Sequence, residues 1–306
     1  MDLYYWLIIM KNKPYVALFI SIAAVSFASI FIVSIQENVP SLSIALYRLL
    51  FTTLLVLPFV LLHKKTRDEL RNLQRSTLLI MVGIGLILAA HFALWITSLG
   101  LTSIASSVIL VTAHPVLVGP ISHFFLKERL SYINSIGITI SIVGVIILVF
   151  GNYGISAMTL EGNILAMLGG VAAGLYILGG RKIRKTVSVG SYAFVVYGVG
   201  TIALLFICLS FGSPVYGFSL ESYGIILLMA FVAGILGHTL YNWALEHVRA
   251  SLASVSLLGE PIGSTLLAFV IPGINQTPSH YTIIGGGIIL VGIYLTARTL
   301  NKNDVA

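Results

Sequence analysis

The stretch ESYGIILLMAFVAGILGHTLYNWALEHVRASLASVSLLGEPIGSTLLAFVI, residues 221–271, decides the fold. It holds two apolar runs, 221–246 and 250–271, parted by a very short turn. Each is as long as the ~20 residues a helix needs to cross the hydrocarbon of a bilayer. Both carry polar groups at membrane depth: His238, Tyr241 and Asn242 in the first, and Glu260, followed by Pro261, in the second. Such groups are costly in lipid, so they face a bundle interior and mark a pathway. The stretch therefore reads as a pair of membrane helices packed among others.

Working outward, charged and turn-forming residues cut the chain into ten apolar spans: 14–35, 41–62, 77–98, 102–125, 131–150, 161–180, 190–211, 221–246, 250–271 and 281–298. Composition agrees. The 306 residues are 58% hydrophobic and only 9% charged, with a mean hydropathy of +1.03. Soluble domains carry roughly 25% charged residues. Backbone groups in hydrocarbon must be satisfied within their own segment, so each span is expected to be a helix. The alternating pattern of an outer-membrane barrel is absent. The first run is followed by Gln36-Glu37-Asn38 rather than a small-residue cleavage site, so it is expected to span and not to be removed. The single cysteine, Cys208, excludes an intramolecular disulfide.

The net charge of +7 has a topological explanation rather than a nucleic-acid one. Lys11 and Lys13 precede span one, and Lys64, Lys65, Arg67, Arg71 and Arg75 follow span two. Lys127 and Arg129 follow span four, and Arg181, Lys182, Arg184 and Lys185 follow span six. Arg249 follows span eight, and Arg298 and Lys302 close the chain. Sixteen of the seventeen basic residues thus fall on one side of a ten-span protein. The positive-inside rule makes that side, with both termini, cytoplasmic. The seventeenth, Arg48, lies about seven residues, ~10 Å, inside span two. Its expected roles are snorkelling outward or pairing with Glu37, ahead of attracting an anionic group.

The halves 1–150 and 151–306 repeat one another. Gly137-x6-Gly144 in span five answers Gly285-x6-Gly292 in span ten, and His114-Pro115 in span four answers Glu260-Pro261 in span nine. Five spans per half is an odd number, so the halves insert with opposite orientation. Inverted repeats with a midplane site between them are a mark of secondary transporters.

Several of these residues carry a family resemblance. Ala45-Leu-Tyr-Arg-Leu-Leu50 resembles the arginine-bearing second helix of EamA-type members of the drug/metabolite transporter superfamily. Lys127-Glu-Arg-Leu-Ser131 resembles their Gly-Glu-x-Leu-Thr signature. The paired glycines resemble the motif of their fifth and tenth helices. Ala244-Leu-Glu-His-Val-Arg-Ala-Ser-Leu-Ala-Ser254, running on to Glu260-Pro261, resembles the eighth and ninth. The resemblance covers essentially the whole chain. One departure is that Pro272-Gly-Ile-Asn-Gln-Thr-Pro278, after span nine, lacks the acidic signature of the first half. What the resemblance implies is an all-α membrane protein of ten helices in two inverted five-helix repeats around a central cavity. It also implies alternating access without ATP, most often exporting amino acids, metabolites or drugs.

The expected cavity lining follows from helical faces. His91, Trp95 and Ser98 lie at i, i+4 and i+7 of span three, and His238, Tyr241 and Asn242 at i, i+3 and i+4 of span eight. Ser103, Ser107 and His114 share a face of span four, and Ser256, Glu260 and Ser264 a face of span nine. The expected lining residues are His91, Trp95, His114, Tyr176, His238, Tyr241, Asn242, Trp243 and Glu260. Each histidine can equally bridge helices, and Tyr241 and Trp243 can equally anchor the interface. Glu260, ~15 Å into its span, is the sharpest candidate, as a partner for a substrate amine or a coupling proton. Pro115 and Pro261 are expected to bend their helices and act as hinges.

No phosphate-binding loop, dinucleotide fingerprint or two-histidine metal motif occurs, so neither cofactor nor metal is expected. The reading is a secondary transporter, not an enzyme, of the cell membrane. Its partners are a small-molecule solute, lipid and a coupling proton, with no nucleic acid, and it acts as a monomer. A passive channel is the rival, an intramembrane enzyme a weaker one.

Overall fold

The computed structural model describes residues 3–125, 131–151, 157–248 and 250–298. The first half runs α1 (Leu3–Ser26), α2 (Ala28–Ile35), α3 (Ser41–Leu62), a short polar α4 (Lys64–Arg71), α5 (Arg75–Leu99), α6 (Ile104–Val111), α7 (Pro115–Phe125) and α8 (Tyr132–Gly151). The second half runs α9 (Ala157–Ile183), α10 (Val189–Ser210), α11 (Leu220–Met229), a π-helical segment (Ala230–Thr239), α12 (Leu240–Ala244), α13 (Ala250–Ser256), α14 (Gly259–Val270) and α15 (His280–Arg298). Each of the ten apolar spans is occupied by helix. Six of the resulting helical runs are long and apolar enough to cross a membrane outright. The Lys127–Arg129 signature, Arg249 and Lys302 lie outside the described residues.

Several starts follow local chemistry. Ser103, Ser188 and Ser219 each cap a helix, their hydroxyls accepting the N–H three residues on. Spans four and nine are each broken near the middle. α6 stops before Thr112-Ala113-His114 and α7 starts at Pro115, while α13 stops at Ser256 and α14 starts two residues before Pro261. Proline cannot donate to the previous turn, and its ring displaces the carbonyl there. The chain crosses the breaks on tight bonds, Val116 N–H to Ala113 O at 3.1 Å and Glu260 N–H to Leu257 O at 3.0 Å. The π segment inside span eight has no counterpart in the apolar pattern; within it Thr239 Oγ1 donates to Gly234 O at 2.9 Å.

The helix pairing is symmetric under exchange of the halves. α3 packs on α10 and α8 on α15, each span meeting its own repeat partner. α5 packs on α9 as α1 packs on the π segment and α12, and α6 on α9 as α14 on α1. The glycine motifs show the inversion directly. A Cβ on Gly144 would lie 2.7 Å from Gly285 O, one on Gly285 2.7 Å from Gly144 O, and one on Gly292 2.5 Å from Gly137 O. The first glycine of each motif therefore meets the last of the other, as an antiparallel crossing requires. Small residues give membrane helices this approach.

Exposed large side chains ring the outside, among them Phe19, Leu62, Phe206 and Leu266. The buried set includes Arg48, His91, His114, Asn242 and Glu260. The outside is apolar, and the costly polar groups are turned inward among an apolar core, as lipid demands.

On the face that carries the basic loops, three connections are tied together. The Glu69 carboxylate accepts from the Ser188 N–H at 2.9 Å and from the Ser188 and Ser191 hydroxyls. Arg181 donates to Leu245 O at 2.7 Å, and Arg184 donates to Asn242 O at 3.0 Å and pairs with Glu246 at 2.5 Å. Burial opposes the charge of Glu69, but the hydrogen bonds from Ser188 and Ser191 outweigh it and hold the carboxyl below its ordinary 4.5. A lowered acid stabilises the fold fully above its unfolded value, and that stabilisation is lost as pH falls through the folded value. Glu69→Gln therefore costs about 1 kcal/mol at neutral pH, the scale of a helix cap discounted for solvent screening. The difference in melting temperature from wild type, followed in detergent, should close as pH drops below 4.5. A constant gap across that range would show that the carboxylate's charge plays no part.

Candidate functional site

Broken helices free backbone and open space, and here both breaks open onto one cavity. It is lined by Arg48 of α3, His91 and Trp95 of α5, and Val111, Thr112 and His114 at the first break. Tyr176 of α9, His238 of the π segment, Tyr241 of α12, and Leu257 and Glu260 at the second break complete its polar and aromatic wall. Its volume is about 60 Å³, room for roughly four to six water-sized groups. Both halves contribute, and the cavity lies between them.

The aromatic groups form a continuous surface. The His91 and Trp95 rings stack at 5.9 Å and 5°, His91 lies 5.0 Å from Phe92, and Phe92 meets His238 edge-on at 5.2 Å. Tyr176 lies 6.3 Å from His238. Two of the three cavity histidines are held by hydrogen bonds to neighbouring helices. His91 Nδ1 donates to Gly169 O at 3.0 Å, and His114 Nδ1 lies 2.7 Å from Ser254 Oγ. Both contacts cross between the halves, so these residues bridge helices and line the cavity at once.

Seven of the nine residues expected from the sequence line this cavity: His91, Trp95, His114, Tyr176, His238, Tyr241 and Glu260. Asn242 and Trp243 are not among its lining residues. Asn242 is buried behind the wall and donates to the hydroxyls of Tyr176 at 2.5 Å and Tyr197 at 3.1 Å. Trp243 packs beside His247 at 4.6 Å. The physical reason is partnership across helices: the Asn242 amide is drawn to the hydroxyls of Tyr176 in α9 and Tyr197 in α10, behind the wall, and Trp243 packs on His247 of its own helix end. Ser103 caps α6 instead of sharing a face with His114, Ser107 bonds Ser98 at 2.7 Å, and Ser264 donates to Ser26 O at 3.1 Å. These three serve helix ends and helix packing.

Arg48 overturns its sequence reading. It is 1% exposed, far from snorkelling, and Glu37 is exposed and forms no ion pair with it. Its guanidinium carbon instead lies 4.3 Å from the Phe92 ring centre and 5.5 Å from that of Trp95. The one signal for this was its isolation, the single basic residue outside the loops.

Sequence comparison gives this arrangement its family. The profile of the EamA-like transporter family matches residues 13–150 and again 160–298. The chain belongs to the EamA-like transporter family. It is therefore a multi-pass membrane transporter rather than an enzyme, built of two EamA repeats. Among its relatives is the uncharacterized transporter YdfC of Bacillus subtilis (strain 168), 24% identical over 85% of this chain and 82% of its own. An uncharacterized transporter of Archaeoglobus fulgidus is 30% identical over 66% of this chain and 71% of its own. A second from that organism is 24% identical over 94% and 98%. A solved structure titled "Crystal structure of protein" superposes with a TM-score of 0.65, covering 95% of this chain and 99% of that one at 18% identity. That likeness concerns the fold alone.

Proposed function

We propose that this EamA protein is a secondary active transporter that exports small metabolites such as amino acids across the cytoplasmic membrane by alternating access. The observation that carries the reading is the cavity itself. It lies between inverted halves, is lined by an arginine, a carboxyl and aromatic rings, and sits where both partner helices break. Rocking the repeats 1–150 and 151–306 about those breaks, at Pro115 and Pro261, would open it to either side in turn. One chain encloses the cavity, so a monomer suffices. The clustering of basic residues on one face supports cytoplasmic termini. The direction of export rests on the family resemblance.

Coupling to a proton is assigned to Glu260. The titratable and charged groups that face the same cavity are Arg48, His91, His114, Tyr176, His238 and Tyr241. The test is counterflow in proteoliposomes with a panel of amino acids, nucleobases, polyamines and cationic drugs. The expected result is saturable uptake of one class stimulated by the same solute inside, and accumulation when a pH gradient is imposed. A channel would equilibrate the solute without stimulation, and that outcome would replace the carrier reading.

A further inference from the structure

Arg48 is a buried cation with no ion pair and no side-chain hydrogen bond among the described residues. Its Nε and both terminal nitrogens are buried and make no hydrogen bond among the described residues. Two more donors on the cavity wall share this condition, Trp95 Nε1 and the Tyr241 hydroxyl. Buried polar groups are nearly always paired, so three unpaired donor groups around one small space is an unusual concentration. The protein has an acid available in the same cavity, Glu260, yet no ion pair joins it to Arg48. The two sit on helices of opposite repeats, α3 and α14, and line the same cavity.

Geometry says what would satisfy the donors. A guanidinium is planar, with its N–H groups in the plane and its faces free to stack. The Arg48 guanidinium lies over the Phe92 ring. The in-plane fork remains, and its best partner is a carboxylate, which accepts two parallel bonds. A neutral carbonyl would leave the charge uncompensated, and a cation would be repelled. We infer that Arg48, with Trp95 Nε1 and the Tyr241 hydroxyl, forms a carboxylate-binding subsite, and that the solute spans from it to Glu260 through an amine. The substrate class is then a zwitterionic amino acid. This inference rests on the transporter reading and sharpens it, because it assigns one charge of the solute to each repeat. It also explains why the cavity keeps an arginine and a glutamate apart: a pair already joined would have nothing to offer a zwitterion.

The experiment measures binding to the purified full-length protein in detergent micelles by calorimetry. The probes are the twenty protein amino acids, together with the amine and the carboxylic acid left when each binder loses one of its two charged groups. At least one amino acid should bind, and its two single-charge analogues should bind at least tenfold more weakly. Arg48→Gln should weaken the amino acid and the carboxylic acid at least tenfold while changing the amine less than twofold; Arg48→Lys should fall between. The inference is overturned if Arg48→Gln binds the amino acid as wild type does, if the amine binds wild type as tightly as the amino acid, or if none of the twenty binds. The wild-type comparison decides the matter even if the variants do not fold. Counterflow of a solute lacking a carboxylate would overturn this inference and leave the transporter reading standing. Binding of an amino acid without any counterflow would do the reverse.

Discussion

Replacing Glu260 with glutamine should abolish accumulation driven by a pH gradient, with a loss of at least tenfold, while exchange of solute at equal pH survives only at raised solute concentration, because the amide is a weaker partner for the solute's amine. The side chain is 8% exposed, lines the cavity and sits in the first turn of α14, directly after the break in span nine. Glutamine keeps the volume and most hydrogen bonding and removes only the titrating group, so folding is spared. A carboxyl is the one acidic side chain on this wall. Two of the three cavity histidines are already anchored, His91 to Gly169 O and His114 to Ser254, which ties their orientation to helix packing, while His238 is held among the rings of Phe92 and Tyr176. Glu260 has no such tether among the described residues, and a proton carrier needs that freedom. Normal accumulation by the glutamine variant, with an unchanged pH profile, would leave Glu260 a packing residue and move the coupling site elsewhere.

The second large effect is expected far from the cavity, where α8 crosses α15. Gly285→Ala should cost about 1–3 kcal/mol, the range for overpacking. The added carbon would lie 2.7 Å from Gly144 O and 2.8 Å from the Leu148 backbone nitrogen. Backbone atoms cannot rotate aside as side chains do, so the helices must separate. Helix propensity works in the other direction, favouring alanine by roughly 1 kcal/mol, and it loses. Two residues on, the opposite holds. A Cβ on Gly287 meets nothing within 4 Å, so Gly287→Ala should be neutral or stabilising by up to about 1 kcal/mol. Melting in detergent separates the two, at roughly 2–4 °C per kcal/mol. Equal behaviour of Gly285→Ala and Gly287→Ala would refute the close crossing. The pairing of Gly144 with Gly285 and of Gly137 with Gly292 also joins the two repeats, so the variant should loosen the dimer-like seam between them.

How legible the molecule was in its sequence depends on what kind of physics each feature obeys. Hydrophobic length is local. A run such as Ser41–Leu62 is a membrane helix whatever surrounds it, because lipid leaves its backbone no other partner. Basic loops and paired glycine motifs are equally local, and so is a proline mid-span. Helical faces carried the site part of the way, placing His91 with Trp95 and His238 with Tyr241. They failed at the next two residues, Asn242 and Trp243, because which partner a side chain finds, Tyr176 and Tyr197 for Asn242 and His247 for Trp243, is not written in a helical face. They placed Arg48 within the membrane but not inside the bundle, because its apolar neighbours in α3 resemble those of any lipid-facing helix.

The sequence by itself therefore determined the ten spans, their inverted repetition, the clustering of charge on one face and the family. Each is set by short-range chemistry or by length along the chain. Only the tertiary structure decided which polar groups meet. Arg48 belongs to α3, Trp95 to α5, Tyr241 to α12 and Glu260 to α14, and their convergence on one cavity is a matter of helix rotation and crossing. Those depend on contacts between residues more than a hundred positions apart, such as Gly144 against Gly285, and no pattern within a single helix records them.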